Sequence, residues 1–222
     1  MTPARPIQDD SLSQTWELLI ATRIANKKKL ASGHDTLISK AGALFVEKGY
    51  HETTTREIAE AVGWNVATMY LYVAAKEDLL YLIGYRNHLI RLAALAEVDT
   101  GGRPVEVFDR LIDTHFRLSD KIALATRLVN RDASVLRKHQ AVQLRAMEGV
   151  QLEVFADAIR ACIEAGEFEP INPELLAMMI VMQGSMWAMK WYALQDQFSF
   201  GEVVEAQIDM IHKYVGRRNS AT

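Results

Sequence analysis

Residues 54–72 read TTREIAEAVGWNVATMYLY, two short helical phrases around one glycine. Thr54 and Glu57 stand at the spacing of a capping box, in which the hydroxyl accepts the N3 amide and the carboxylate returns to the cap. Ile58, Ala61 and Val62 form the apolar face of the helix that follows, and Gly63 supplies the left-handed residue that ends it. Asn65 caps a third, short helix through about Tyr72. Two helices of about two turns each, joined by a tight glycine-containing turn, are the sequence form of a helix-turn-helix.

Working outward, Ile38, Ala41, Leu44, Phe45 and Lys48 describe an amphipathic helix that stops at Gly49. Downstream, a fourth helix is predicted from near Lys76 to about Val98, and further helices over 104–118, 120–130, 133–166, 172–195 and 199–216. Pro104 suits a first helical turn. Asn172, Pro173 and Glu174 give a cap, a first-turn proline and an acid near the positive dipole end. Ser199 and Glu202 form a second capping box, with Phe198 and Val203 placed as its hydrophobic staple. Sheet signals are nearly absent, so the expected fold is all-α. It comprises an N-terminal three-helix domain carrying the helix-turn-helix and a larger C-terminal helical domain. Residues 1–11 read as a tail. Trp16, Leu19, Ile20 and Ile24 make a helical stripe, which predicts an extension helix from about Ser13. The expected division is therefore 1–32, 33–80 and 81–222.

The chain has 222 residues, half of them hydrophobic, enough for a substantial core. Its single cysteine, Cys162, suits a reducing, cytoplasmic setting and excludes a disulfide scaffold. The six histidines show no ligand spacing, so no metal site is expected. Leu175 to Leu194 has the length of a bilayer span, but Gln183, Ser185 and Lys190 favour a buried interface helix, and no membrane association is expected. A nucleophile elbow, a phosphate-binding glycine loop and a His–acid pair are all missing, which argues against an enzyme. Net charge is −3, yet Arg23 to Arg56 holds seven basic residues against three acidic ones. That asymmetry points to one face built for a polyanion.

The stretch from Ile38 to Leu80 resembles the DNA-binding domain of TetR-family regulators. The resemblance is carried by Ala43-Leu44-Phe45, Gly49-Tyr50, Thr53-Thr54, Arg56-Glu57-Ile58-Ala59 and Ala61-Val62-Gly63, then by Thr68, Tyr70 and Tyr72 and by Lys76 to Leu80. It implies a homodimer that binds a double-stranded palindromic operator. Thr54, Thr68, Tyr70, Tyr72 and Lys76 are then expected on phosphates, with Arg56 and Asn65 completing the set. Independent physics agrees: Thr54 and Lys76 sit at helix N-termini, where free amides already favour phosphate oxygen. Some positions depart from the family pattern. Trp64 replaces a small aliphatic residue in the turn, Val66 and Leu71 replace polar ones, and Ala75 removes the usual cap before Lys76, a loss of about 1 kcal/mol. The reading surface is thus unusually apolar, and Val66, Ala67 or Leu71 are expected on thymine methyls. Lys27, Lys28 and Lys29 are expected to form a basic arm on flanking phosphates or the minor groove.

Residues 104–216 resemble the family only in helical layout. The last two helices are assigned to a two-fold dimer interface, which would bring two recognition helices to half-sites about one DNA turn apart. The sequence Trp187-x-x-Lys190-Trp191-Tyr192 resembles a pattern of family members that sense acyl-CoA thioesters. On that resemblance an acyl chain would lie among Leu111, His115, Phe155, Met179 and Trp187, beside Gln183. A basic residue (Arg127, Arg131, Arg145 or Lys190) would then meet CoA phosphates. Another small apolar effector, an aromatic acid or a drug, stays open, and no cofactor beyond the effector is expected. A ligand beneath the fourth helix would shift it and respace the DNA-reading heads, so ligand and DNA must weaken each other reciprocally. Repression is the expected outcome. A ligand-independent DNA-binding protein, an activator and an acyl-substrate enzyme are the alternatives.

Overall fold

The computed structural model describes residues 18–216, all of whose regular structure is helical. Ten α-helices follow in order: α1 (Lys27–Glu47), α2 (Thr55–Val62), α3 (Val66–Tyr72), α4 (Glu77–Ala96), α5 (Pro104–Lys121), α6 (Ala123–Asp132), α7 (Lys138–Glu164), α8 (Pro173–Gly184), α9 (Met186–Leu194) and α10 (Phe200–Tyr214). The start signals read from the sequence do their work. Thr54 and Ser199 close capping boxes with Glu57 and Glu202, Pro104 opens α5, and the Asn172 side chain accepts from the Leu175 amide at 2.8 Å.

The chain packs as two compact units. One contains the described residues up to His88 together with Leu124–Arg145. Its core is built from Leu37, Ala41 and Phe45 of α1, Ile58 of α2, Met69 of α3, Leu79 and Leu80 of α4, and Leu128 of α6. The other contains Leu89–Ala123 and the described chain from Ala146 onward. Phe108, Leu111, Phe116, Phe155, Ile159, Ile180 and Ile211 centre its core.

Four expectations are corrected. The predicted extension helix is not formed over 18–26, which runs irregularly until the Asn26 side chain accepts from the Lys29 amide and starts α1. Leu18, Ile20 and Ile24 pack on the first core from an irregular chain, so their spacing reflects burial and not helical turns. Residues 1–17, including Trp16 and the predicted tail, lie outside the described residues. The Lys27–Lys29 triplet is accordingly the exposed first turn of a helix, not an arm. The helix expected over 133–166 begins only at Lys138, after a 3-10 turn at Ala133–Val135, with the Gln140 side chain accepting from the Arg137 amide at 3.3 Å. The helix expected over 172–195 breaks at Ser185. There Gly184 packs so closely on His115 that an added Cβ would lie 2.1 Å from Nε2.

Candidate nucleic-acid interface and effector core

The α2–α3 pair is defined almost wholly by local chemistry. The Thr54 hydroxyl accepts from the Glu57 amide at 3.2 Å, and the Glu57 carboxylate accepts from the Thr54 amide at 2.8 Å. Lys48 donates to the same carboxylate at 2.6 Å, and with the Thr54 bonds it holds Glu57 well below the usual carboxylate range, so the cap stays ionised. Gly63 ends α2 at φ +77°, with its amide and that of Trp64 returned to Glu60 and Ala59 carbonyls. The Asn65 side chain then accepts from the Thr68 amide at 2.7 Å and starts α3.

On α3, Ala67, Tyr70 and Leu71 are exposed and share one face by their i, i+3, i+4 spacing, while Met69 is buried. Asn65 is exposed and Thr68 half-buried beside them, and Arg56 is exposed on α2. Val66 differs from expectation: it is half-buried and packs on the core. Tyr72 differs more sharply. Its ring is buried and stacks on Trp64 at 4.6 Å between centroids, which explains the large residue in the turn and removes the tyrosine from the exposed face. Lys76 donates to the Tyr50 and Thr53 carbonyls at 2.9 and 3.0 Å and lies 4.3 Å over the Tyr50 ring, so its ammonium braces the loop before α2.

The missing cap before Lys76 is replaced by a residue that sequence reading did not single out. Asp78, fully buried, accepts from the Ala74 and Ala75 amides at 2.8 and 3.0 Å. The same carboxylate accepts from the Gln140 side chain at 2.7 Å and pairs with Arg137 at 3.2 Å. Two backbone donors, an amide and a guanidinium are what a buried carboxylate requires. An Asp two residues after Lys76 is the only signal the sequence offered for this, since Arg137 and Gln140 are remote in the chain.

In the second unit, Leu111, His115 and Phe155 do come together. All three are buried, and the His115 and Phe155 rings meet edge-on at 5.2 Å. Gln151, unforeseen, donates to His115 Nδ1 at 3.0 Å, which leaves the ring proton on Nε2. That Nε2 is buried against α8, where the Ile180 backbone favours a proton on the ring although no hydrogen bond of good geometry forms among the described residues. Burial, reinforced by the charge of Arg91, lowers the His115 pKa to about 3, so the imidazole is neutral. Arg91 is itself buried, which pulls it down to about 10, with Glu148 opposing that shift.

The remaining predicted effector residues are not gathered there. Met179 and Lys190 are exposed. Trp187 is buried but donates to Asp120 at 3.0 Å and packs on Phe200. Gln183 gives its carbonyl to Gln207, and its side-chain oxygen is buried without a partner at an apolar groove of about 310 Å³ that Met186, Phe198 and Met210 also line. Arg127, Arg131 and Arg145 belong to the other unit, where Arg131 forks onto Asp132 at 2.7 and 3.0 Å. No helix of the described residues is long and apolar enough to cross a membrane.

Comparison with known proteins places this geometry. Residues 37–81 match the family of bacterial regulatory proteins of the tetR family, and residues 101–215 match a tetracyclin repressor-like C-terminal domain. The HTH-type transcriptional regulator HbdR of Aromatoleum sp. (strain CIB) is 29% identical over 188 residues, covering 82% of this chain and 80% of that protein. The solved structure of AibR with isovaleryl coenzyme A and operator DNA superposes with a TM-score of 0.69 at 19% identity, over 80% of this chain and 97% of AibR. FadR from Bacillus subtilis, solved with stearoyl-CoA, gives 0.66 at 19% identity, over 84% and 100%. With matches to both halves of the chain, this protein belongs to the TetR family of bacterial transcriptional regulators, DNA-binding helix-turn-helix proteins and not enzymes.

Proposed function

We propose that the chain is a cytoplasmic repressor that binds a palindromic operator as a homodimer and is released by a small apolar effector bearing an acyl group, an acyl-CoA thioester. Residues 33–80 would read DNA, and residues 81–222 would bind the effector and dimerise. The observation that carries this reading is the α3 face of Ala67, Tyr70 and Leu71, exposed on a helix pair pinned at both N-termini. Small and apolar groups there suit thymine methyls in a major groove. Around them, Thr54, Arg56, Asn65, Thr68 and the Lys27–Lys29 turn would meet phosphate.

Dimerisation is supported by exposed apolar residues on the last helices: Leu175, Met178 and Met182 on α8, with Met210 and Tyr214 on α10. For the effector, Leu111, Phe155 and the neutral ring of His115 offer a buried, largely apolar surface, which suits an acyl chain. AibR and FadR, solved with acyl-CoA ligands, support the same class. An effector there favours one state of the protein and DNA another, so each weakens the other.

The test is binding of the purified protein to DNA upstream of its own gene, with and without a series of acyl-CoA thioesters. Tight binding released by one thioester is expected. Tight binding indifferent to all of them overturns the effector reading and leaves DNA recognition standing.

A further inference from the structure

The irregular segment 18–26 is a strap tied to the recognition helix. The Arg23 amide donates to the Leu71 carbonyl at 2.8 Å, and the Thr22 hydroxyl donates to the same oxygen at 3.0 Å. The Ile24 amide returns to the Thr22 hydroxyl at 3.1 Å. Farther back, the Leu19 amide donates to the Tyr81 hydroxyl at 3.2 Å. A seven-residue helix ends with carbonyls that lack intrahelical partners, and Leu71 is among the last of α3. The strap supplies that partner twice over, while Leu18, Ile20 and Ile24 anchor it in the core.

This places the side chain of Arg23 beside the last turn of α3 without using it. Arg23 is exposed, as are Lys27, Lys28 and Lys29, and none of the four makes an ion pair among the described residues. Residues 18–34 contain no Asp or Glu, and the next acid, Asp35, is held by Arg86 at 2.8 Å. Four cations in seven residues, none ion-paired among the described residues and next to a helix with an exposed reading face, are the electrostatic footprint of a polyanion contact.

We infer that Arg23 is a DNA-binding residue, held by its own backbone at the C-terminal end of the recognition helix so that its guanidinium engages duplex flanking the bases read by Ala67, Tyr70 and Leu71. The strap thus extends the footprint of each half-site beyond the helix-turn-helix. The inference rests on the operator-binding reading above.

The test uses a duplex recovered by the wild-type full chain from random DNA, read by fluorescence anisotropy across a salt series. R23A keeps the backbone clamp and removes only the cation. It is expected to bind about tenfold more weakly, with the slope of log affinity against log salt reduced by about one contact. T22A, which removes a clamp bond but no charge, should weaken binding and leave the slope unchanged. Trimming the duplex from its ends should bring the wild type down to R23A. Wild-type binding matched by R23A in affinity and slope overturns the inference alone. A wild type that selects no duplex overturns the DNA reading and the inference with it.

Discussion

Two of the tight breaks between consecutive helices, α2 to α3 and α8 to α9, are built on opposite principles. At the first, Gly63 adopts φ +77°, and an added Cβ would meet nothing within 4 Å. The glycine is there for its backbone conformation. At the second, Gly184 lies outside the positive-φ glycines, and an added Cβ would fall on the His115 ring. That glycine is there for its missing side chain. Asn65 caps the helix after the first break with a hydrogen bond, whereas Ser185, at the start of α9, makes no side-chain cap. One break is written in local chemistry, the other in a contact between elements far apart in the chain.

The contrast can be broken or sharpened by experiment. The largest effect is expected from pH, because the second break leans on a neutral histidine. His115 has its pKa lowered to about 3 in the folded state, against an ordinary value near 6.5. Between those values the unfolded chain binds a proton that the folded chain refuses. Stability supplied by the neutral ring is therefore complete above pH 6.5 and is lost as pH falls toward 3, amounting to roughly 3 kcal/mol by pH 4. Urea unfolding of His115→Gln beside the wild type should show this slope disappear. An identical pH profile for the two proteins would mean the ring is not shielded.

Next comes Gly184→Ala, expected to destabilise by about 2 kcal/mol through overpacking, since Gln151 and Phe155 pin the ring that would have to move. Pairing it with His115→Ala should cost markedly less than the sum of the single changes, and strict additivity would show that the two residues do not press on each other. Gly63→Ala should cost about 1.5 kcal/mol from left-handed backbone alone, with no second-site partner able to relieve it. Smallest of all, Asn65→Ala should lose about 1 kcal/mol as a cap, while Ser185→Ala stays within about 0.5 kcal/mol of wild type. Thermal melts that reverse this last order would place a cap at the second break and remove the contrast.

The same division explains what could be read from residues alone. The α2–α3 pair, the α5 start at Pro104 and both capping boxes were legible because each signal and its partner lie within four residues. The exposed face of α3 was legible from spacing, though Val66 and Tyr72 were not, because the Trp64–Tyr72 stack is a packing decision. The α8–α9 break, the strap at Leu71 and the Asp78 cluster depend on partners remote in the chain, 62 residues for Asp78 and Gln140 and farther still for Gly184 and His115. The candidate effector core was half legible. Leu111, His115 and Phe155 follow helical spacing into the interior, but Gln151 and Arg91 look on paper like ordinary surface residues. Met179 and Lys190, placed by the acyl-CoA resemblance, are exposed.

The Asp78 cluster has a practical consequence for anyone wishing to transplant this DNA-reading head onto another sensor. A graft cut after Leu80 would carry the carboxylate and its two backbone donors but leave behind Gln140 and Arg137. A charge buried at 0% exposure would then face a stranger's side chains. A cut beginning at residue 33 would likewise discard the strap that completes α3. The transplantable piece is discontinuous in the chain, and a working chimera must either bring residues 18–26 and 137–140 along or supply substitutes for them in the recipient.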